Sequence, residues 1–373
     1  MSVASRLARL REKMDAAGLD AFFVTSPVED IFHTQSANRR YLSGFTGSTG
    51  ALLITRDQAF IATDFRYVEQ AQGQCPGYIV YQTSGGPERW FASLVGEAGL
   101  SGKKIGFEAG DLSVALLEAL RKAIAAMPEG DRPKLLSAPP LVQQLRAVKE
   151  PEEIEALQRA VDIGDAAFSA IAERIEPGWT EKQVAWEIEK YARERGAEHM
   201  SFPTIVAAGP HGALPHAQPR DHVIRPGEGI VIDMGVIVDG YCSDLTRTIV
   251  AGKPGAQFLK IYHIVLTAQR TAEELIRAGM TGEEAHMLAH NVIAEAGYGE
   301  HFGHGLGHGV GLLIHEHPRV ARTSRDELLD GMVITVEPGI YISGWGGVRI
   351  EDQCVIEGGK LRVMSRAPKL LPA

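Results

Sequence analysis

Apolar positions recur along this chain with two different rhythms. Leu7, Leu10 and Met14 stand at i, i+3 and i+7 with Arg6, Arg9, Arg11, Glu12 and Lys13 between them, the stripe of an amphipathic surface helix. Short apolar runs at 21–25, 50–54, 59–62, 78–81 and 104–107 predict strands. Helical spacing at 87–97 and 112–126 predicts helices between several of them. Alternation of this kind predicts an α/β domain, a mixed sheet flanked by helices. Ala138-Pro139-Pro140 closes that unit, followed by one more helix-like turn.

Near Val148 the rhythm changes. Pro151-Glu152-Glu153 opens a long helix whose stripe is Ile154, Leu157, Ala160, Val161, Ile163 and Phe168. Further helices are expected over 180–195, 257–278 and 281–296. The expected domains are therefore 1–147 and 148–373. The remainder of the second domain reads as two hairpins. Strands 229–236 and 241–250 flank Val238-Asp239-Gly240, and strands 331–337 and 347–356 flank Ser343-Gly344-Trp345-Gly346. Each incoming strand ends in an acid, Asp233 or Glu337, and each returning strand carries a second, Asp244 or Glu351. The likeness suggests an internal pseudo-repeat, with chance similarity of two hairpins as the alternative.

Composition narrows the class. At 373 residues, 45% hydrophobic and 23% charged, the chain is neither disordered, collagen-like nor a disulfide scaffold. A net charge of −9 offers no overall field for nucleic acid or an anionic membrane. Three cysteines, Cys75, Cys242 and Cys354, suit a reducing, cytoplasmic setting, and core packing is expected of Cys242 and Cys354. No run reaches the length of a membrane span. The acidic Glu12, Asp15 and Asp20 weigh against a transit peptide. Neither a Walker A pattern nor a complete G-x-G-x-x-G occurs, so a nucleotide site is unsupported.

Acids belong poorly in apolar strands, because an unpartnered buried carboxylate is costly. If both hairpins face one cleft, four carboxylates converge, and they coexist only when protonated or neutralised by cations. Two divalent ions would balance four charges; Mn²⁺, Co²⁺ or Zn²⁺ suit oxygen-rich mixed ligands. Taken singly, each acid also fits a strand-end salt bridge. The stretch Phe302-Gly-His304-Gly-Leu-Gly-His308-Gly-Val-Gly-Leu-Leu-Ile-His315-Glu316 adds nitrogen ligands. Its alternating glycines disfavour helix and let backbone pass close to a ligand.

This set resembles the pita-bread metallopeptidases: methionine aminopeptidase, aminopeptidase P and prolidase. The matching ligand positions are Asp233 and Asp244 in Asp-Met-Gly…Ser-Asp-Leu-Thr-Arg, then His308 in His-Gly-Leu-Gly-His-Gly. Glu337 in Val-Glu-Pro-Gly-Ile-Tyr and Glu351 in Val-Arg-Ile-Glu-Asp complete them. The resemblance implies an α+β pita-bread catalytic domain. Through Arg40-Tyr41-Leu-Ser-Gly-Phe-Thr-Gly-Ser and Thr63-Asp-Phe-Arg66-Tyr67 it also implies a creatinase-like N-terminal domain. Methionine aminopeptidase is disfavoured because it lacks such a domain. Creatinase is disfavoured because its ligand set is not kept.

The resemblance further implies two divalent metal ions, Mn foremost, and a bridging water that attacks the peptide carbonyl. Glu337 matches the ligand that also shuttles the proton. His216, His304 and His315 match the histidines that contact the substrate or stabilise the tetrahedral intermediate. Read alone, His216 would be a surface histidine. Arg349 matches an arginine paired with acids behind the metals, and Tyr341 a tyrosine beside them. Arg319, in His315-Glu-His-Pro-Arg319, matches the arginine that receives a dipeptide's carboxylate, a task suited to a guanidinium fork. Arg40 is a candidate for reaching a neighbouring subunit's site, or else a solvated surface charge. His211, His222, His301 and His317 stay outside the set.

The implied activity is hydrolysis of the bond preceding proline, with a dipeptidase favoured over an aminopeptidase that takes longer peptides. A binding module that has lost catalysis is the alternative from another class. The expected partner is a proline-containing di- or oligopeptide, with no nucleic acid or membrane, and the expected assembly is a homodimer.

Overall fold

The computed structural model describes residues 2–25 and 36–369. Two compact units divide it, Met1–Arg146 and Ala147–Ala373. No helix among the described residues is long and apolar enough to cross a membrane.

The first unit is built on one six-stranded mixed sheet. Its order is Ile79–Thr83, Ala59–Asp64, Ala51–Thr55, Ala21–Val24, Lys104–Glu108, Lys134–Ala138. The three strands from Ala21 to Asp64 pair antiparallel, and the outer pairs are parallel. Helix Val3–Ala16 buries Leu7, Leu10 and Met14, the stripe its spacing predicts. Helices Pro87–Glu97 and Val114–Ala125 cover one sheet face, where Phe23 meets Phe91 edge-on at 5.3 Å. Two helices escape the sequence pattern, Ala37–Ser43 and Val68–Gln74. Both are seven residues long, and the first buries polar Asn38 and Arg39 where a stripe would be apolar. Gly44, at φ 75°, ends it in the left-handed conformation that glycine adopts without strain. The buried Arg39 guanidinium then holds the carbonyls of Gly47 and Gly50. The edge strand Lys134–Ala138 also escapes the pattern, because it is largely exposed and lacks an apolar run.

The second unit repeats one arrangement twice. Helices Pro151–Ala172 and Glu181–Arg193 pack against the antiparallel sheet Ile205–Ala208, Gly229–Met234, Leu245–Val250. Helices Ala256–Leu275 and Gly282–Glu295 pack against a five-stranded sheet whose central strands are Val333–Val336 and Asp352–Glu357. Capping boxes start three of the four helices, at Glu150/Glu153, Thr180/Gln183 and Thr281/Glu284.

Both expected hairpins exist but each is broken in two. After Met234 the chain shifts, and the short strand Val236–Val238 pairs with Tyr241–Cys242 across Asp239 (φ 51°) and Gly240 (φ 79°). Gly235 marks the break, since a Cβ there would strike the Ser243 carbonyl. In the second hairpin Val333–Val336 pairs with Asp352–Glu357, and Gly339–Ile342 pairs with Gly346–Arg349 in a separate ribbon. The two breaks place the acids. Asp233 is the last but one residue of its strand and Asp244 immediately precedes the next. Glu337 immediately follows a strand and Glu351 immediately precedes one. A continuous ladder would have buried these carboxylates between paired strands.

Candidate metal centre

The acids converge on a cleft of about 380 Å³ in the second unit. Asp233, Asp244, His308, Glu337 and Glu351 all line it, with His216, His304, His315, Arg319 and Arg349. One donor atom each from Asp244, His308 and Glu351 lies within 4.8 Å of the others. His308 Nε2 stands 3.5 Å from Asp244 Oδ2 and 3.5 Å from Glu337 Oε1. These are not ion pairs. Burial, aided by nearby His315, pushes the His308 pKa down to about 3 and keeps the ring neutral.

The ring's tautomer is set by its other nitrogen. His308 Nδ1 lies 3.1 Å from the Gly309 carbonyl, which can only accept, so Nδ1 carries the proton and Nε2 offers its lone pair to the acids. Glycine places this strand. At Gly307 a Cβ would collide with the Thr335 carbonyl, and at Gly309 with that of His317. The Thr335 hydroxyl accepts from His308 N (3.1 Å) and donates to Glu337 Oε1 (3.4 Å).

Arg349 organises the opposite side. Its Nη2 donates to Asp233 Oδ2 at 2.5 Å, its Nη1 to the Tyr341 oxygen at 2.7 Å and its Nε to Thr246 Oγ1 at 3.0 Å. The Tyr341 hydroxyl then donates to His304 Nε2 at 3.0 Å, because His304 Nδ1–H is spent on the Gly305 carbonyl at 2.8 Å. Both ring nitrogens of His304 are thereby committed. His216 has no hydrogen bond among the described residues, and its ring lies close enough to Asp233 to favour that carboxylate. His315 meets His308 edge-on at 4.4 Å. Arg319 is exposed at the cleft rim; Asp326 accepts from its backbone N–H at 2.8 Å, while its guanidinium has no partner among the described residues. Arg40 lies half-buried on helix Ala37–Ser43 of the first unit and is not among the residues lining the cleft.

The electrostatics fit a cation site. Burial first, then mutual repulsion, raises Asp244 and Glu351 well above the carboxylate range and pushes Glu337 up to about 8. Burial also raises Asp233 despite its guanidinium partner, and its Oδ1 is buried with no hydrogen bond. Four carboxylates against one guanidinium leave three uncompensated negative charges when all are ionised. An orphaned carboxylate oxygen, a neutral imidazole and clustered acids form a mixed O/N donor set for divalent metal.

Several residues that build the site were not picked out from sequence. Thr246 donates to Glu351 Oε2 at 2.6 Å, and Gln353 Oε1 accepts from Asp244 N at 3.0 Å. Period-two spacing carried a signal for them. Thr335 stands two before Glu337, and Gln353 two after Glu351.

Comparison with known proteins places this architecture. The family model for metallopeptidase family M24 matches residues 155–358, and that for the creatinase/prolidase N-terminal domain matches 6–148. The chain belongs to metallopeptidase family M24 and is a metallopeptidase with a creatinase-like N-terminal domain. It is 39% identical to the peptidase YqhT of Bacillus subtilis (strain 168), over 98% of this chain and 99% of that one. A solved Xaa-Pro dipeptidase from Bacillus anthracis superposes with TM-score 0.91 at 41% identity, covering 99% of both chains. An X-Pro aminopeptidase from Thermotoga maritima MSB8 gives 0.85 at 34%, covering 96% of this chain and 99% of that one.

Proposed function

We propose that the protein is an Xaa-Pro dipeptidase, cleaving the peptide bond before a C-terminal proline with two divalent ions, Mn²⁺ foremost. Asp233, Asp244, His308, Glu337 and Glu351 hold the ions. With all four carboxylates ionised, two such ions would turn three uncompensated negative charges into one net positive charge. When bound, the ions supply Lewis acidity and bring the pKa of a water molecule towards neutrality.

The chain's own groups do the rest. A carboxylate oxygen of Glu337 takes the proton released as water adds to the carbonyl and returns it to the departing proline nitrogen. His216 and His315 hydrogen-bond the carbonyl oxygen as it gains charge. Arg349 holds Asp233 and Tyr341 in place, and Tyr341 fixes His304 in the cleft wall. Arg319 carries the dipeptidase reading: an uncommitted guanidinium on the cleft is a fork for the substrate's terminal carboxylate.

The likeness to the Thermotoga X-Pro aminopeptidase favours a second reading, removal of the first residue from longer Xaa-Pro peptides. Initial rates on Ala-Pro, Ala-Pro-Ala and Ala-Ala with added Mn²⁺ separate the two. Cleavage of Ala-Pro alone supports the dipeptidase. Preference for Ala-Pro-Ala moves the assignment to the aminopeptidase, and dominant cleavage of Ala-Ala removes the proline specificity.

A further inference from the structure

Behind the acids lies a second polar network, none of whose own side chains lines the cleft. Arg247, fully buried on strand Leu245–Val250, donates from Nη1 to the carbonyls of Thr246 (3.0 Å) and Glu351. Its Nη2 reaches Asp352 Oδ1 at 2.7 Å and the Ala367 carbonyl at 2.8 Å. From helix Ala256–Leu275, Gln269 Nε2 donates to Asp352 Oδ2 (3.2 Å) and to the Val336 carbonyl (3.3 Å). Lys369, in the C-terminal segment, places its ammonium 2.6 Å from Asp352 Oδ2 and 3.4 Å from Glu273 Oε2. The segment itself is pinned: Met364 N donates to the Gln353 carbonyl (2.9 Å), and Ser365 Oγ accepts from Gln353 N (3.0 Å).

We propose that Arg247, Gln269 and Asp352, with the C-terminal segment through Lys369, are positioning residues for the two glutamates of the metal centre. The proposal rests on the metal-centre reading above. One connected network holds the peptide group that leads into Glu337, through the Val336 carbonyl, and that of Glu351 itself. Both glutamates sit where strands break, and on the N–H side each is held by one backbone bond, Glu337 N to the Leu306 carbonyl (2.8 Å) and Glu351 N to the Thr246 carbonyl (3.0 Å). The brace holds the Val336 and Glu351 carbonyls from behind.

The charges argue that the brace is set before an ion arrives. Arg247 and Lys369 pair with Asp352, and Lys369 also with Glu273, so the buried charges of the brace find their partners within it and not in a metal ion. A buried charged network of this kind contributes little net stability over apolar packing of the same volume. What it gives here is a fixed geometry, and metal ligands must be held to within about 0.5 Å. The segment 364–369 is then part of the active-site scaffold although none of its residues lines the cleft.

Metal affinity of the full-length apoprotein tests this, read by Mn²⁺ titration against a competing chelator, with the thermal midpoint of the apoprotein measured alongside. Gln269→Leu and Lys369→Met are expected to weaken Mn²⁺ binding about 10–100-fold, the effect usual for partners behind metal ligands, with the apoprotein still folded. Arg247→Lys is expected to do the same; if it does not fold, the other two variants decide. Folded Gln269→Leu and Lys369→Met proteins that bind Mn²⁺ as tightly as the wild type overturn the proposal. Glu351→Ala guards the underlying reading. If it takes up Mn²⁺ as well as the wild type, the metal centre itself is wrong, whatever the brace variants show.

Discussion

The Thr246 hydroxyl donates to Glu351 Oε2 at 2.6 Å, and Thr246 Oγ1 in turn accepts from Arg349 Nε at 3.0 Å. Thr246 also stands directly opposite Asp233 in the antiparallel ladder, and Glu351 N donates to its carbonyl at 3.0 Å. One threonine thus joins the two hairpins that carry the acids. Thr246→Val keeps the shape and removes both side-chain hydrogen bonds. Mn²⁺ affinity is expected to fall about 10–100-fold, with Thr246→Ser restoring most of it. Chelator-competition titration checks this, and equal affinity in wild type and Thr246→Val would remove Thr246 from any role in orienting Glu351.

His308→Ala, Asp244→Ala and Glu351→Ala each remove a donor from a cluster whose donor atoms lie within 4.8 Å of one another. Each is expected to abolish turnover together with metal content, measured on the same dialysed sample by peptide hydrolysis and elemental analysis. Full metal content with retained activity in any one of them excludes that residue as a ligand.

How much of this was legible in the sequence depends on the length scale of each signal. Acids embedded in apolar strands and the glycine-spaced histidines are local patterns, and they marked the residues that now line one cleft. The hairpins were legible as pairs of strands, but their breaks were not. Gly235 and Pro338 look like ordinary punctuation until the crossing backbone at Ser243 or the switch to a new sheet is seen. Arg247, Gln269 and Lys369 were invisible for a different reason. Their partners lie 105, 83 and 17 positions away on Asp352, and no periodicity links them. Arg39 shows the same limit: its neighbour Arg40 drew attention as the charged residue of its motif, yet Arg39 is the buried one that holds the loop carbonyls.

Gly307 approaches the Thr335 carbonyl so closely that a methyl group has no room. Gly307→Ala must push strand Gly307–Gly309 away from Val333–Val336, displacing His308 next door. Overpacking of this kind costs about 1–3 kcal/mol, and each kcal/mol lowers the midpoint of a unit this size by about 2–4 °C. A lowered thermal midpoint with reduced metal affinity is the expected result. An unchanged midpoint would show that the strands separate freely.

Glu108 in the first unit gives a pH dependence with a definite sign. Burial pushes its carboxyl up to about 7, against the hydrogen bonds it accepts from Val142 N (2.6 Å) and Asn38 Nδ2 (2.7 Å). Asp111, which accepts from the same Asn38 nitrogen at 2.5 Å, raises it further, and Arg146 bonds the Asn38 oxygen. The folded state therefore holds this proton where the unfolded chain, with a pKa near 4.5, has lost it. Its contribution is full below about pH 4.5 and is lost as pH rises to about 7. Chemical denaturation across that window should show the falling contribution, and Glu108→Gln should flatten it. A Glu108→Gln protein with the wild-type pH profile would assign the slope elsewhere.

Arg319 separates the two peptidase readings. Its guanidinium is uncommitted among the described residues, while Asp326 fixes its backbone N–H at 2.8 Å, so the side chain is free to meet a ligand from an anchored base. A bidentate bond to a terminal carboxylate contributes about 1.5–3 kcal/mol, equivalent to roughly 10–150-fold in affinity. Arg319→Ala is therefore expected to raise KM for Ala-Pro by that factor while leaving Ala-Pro-Ala, whose carboxylate lies one residue further out, nearly unchanged. Arg319→Lys should recover only part of the loss, because an ammonium cannot make the paired bond. Equal losses on both peptides would mean that Arg319 shapes the cleft without reading the carboxylate, and the aminopeptidase assignment would then be the better one.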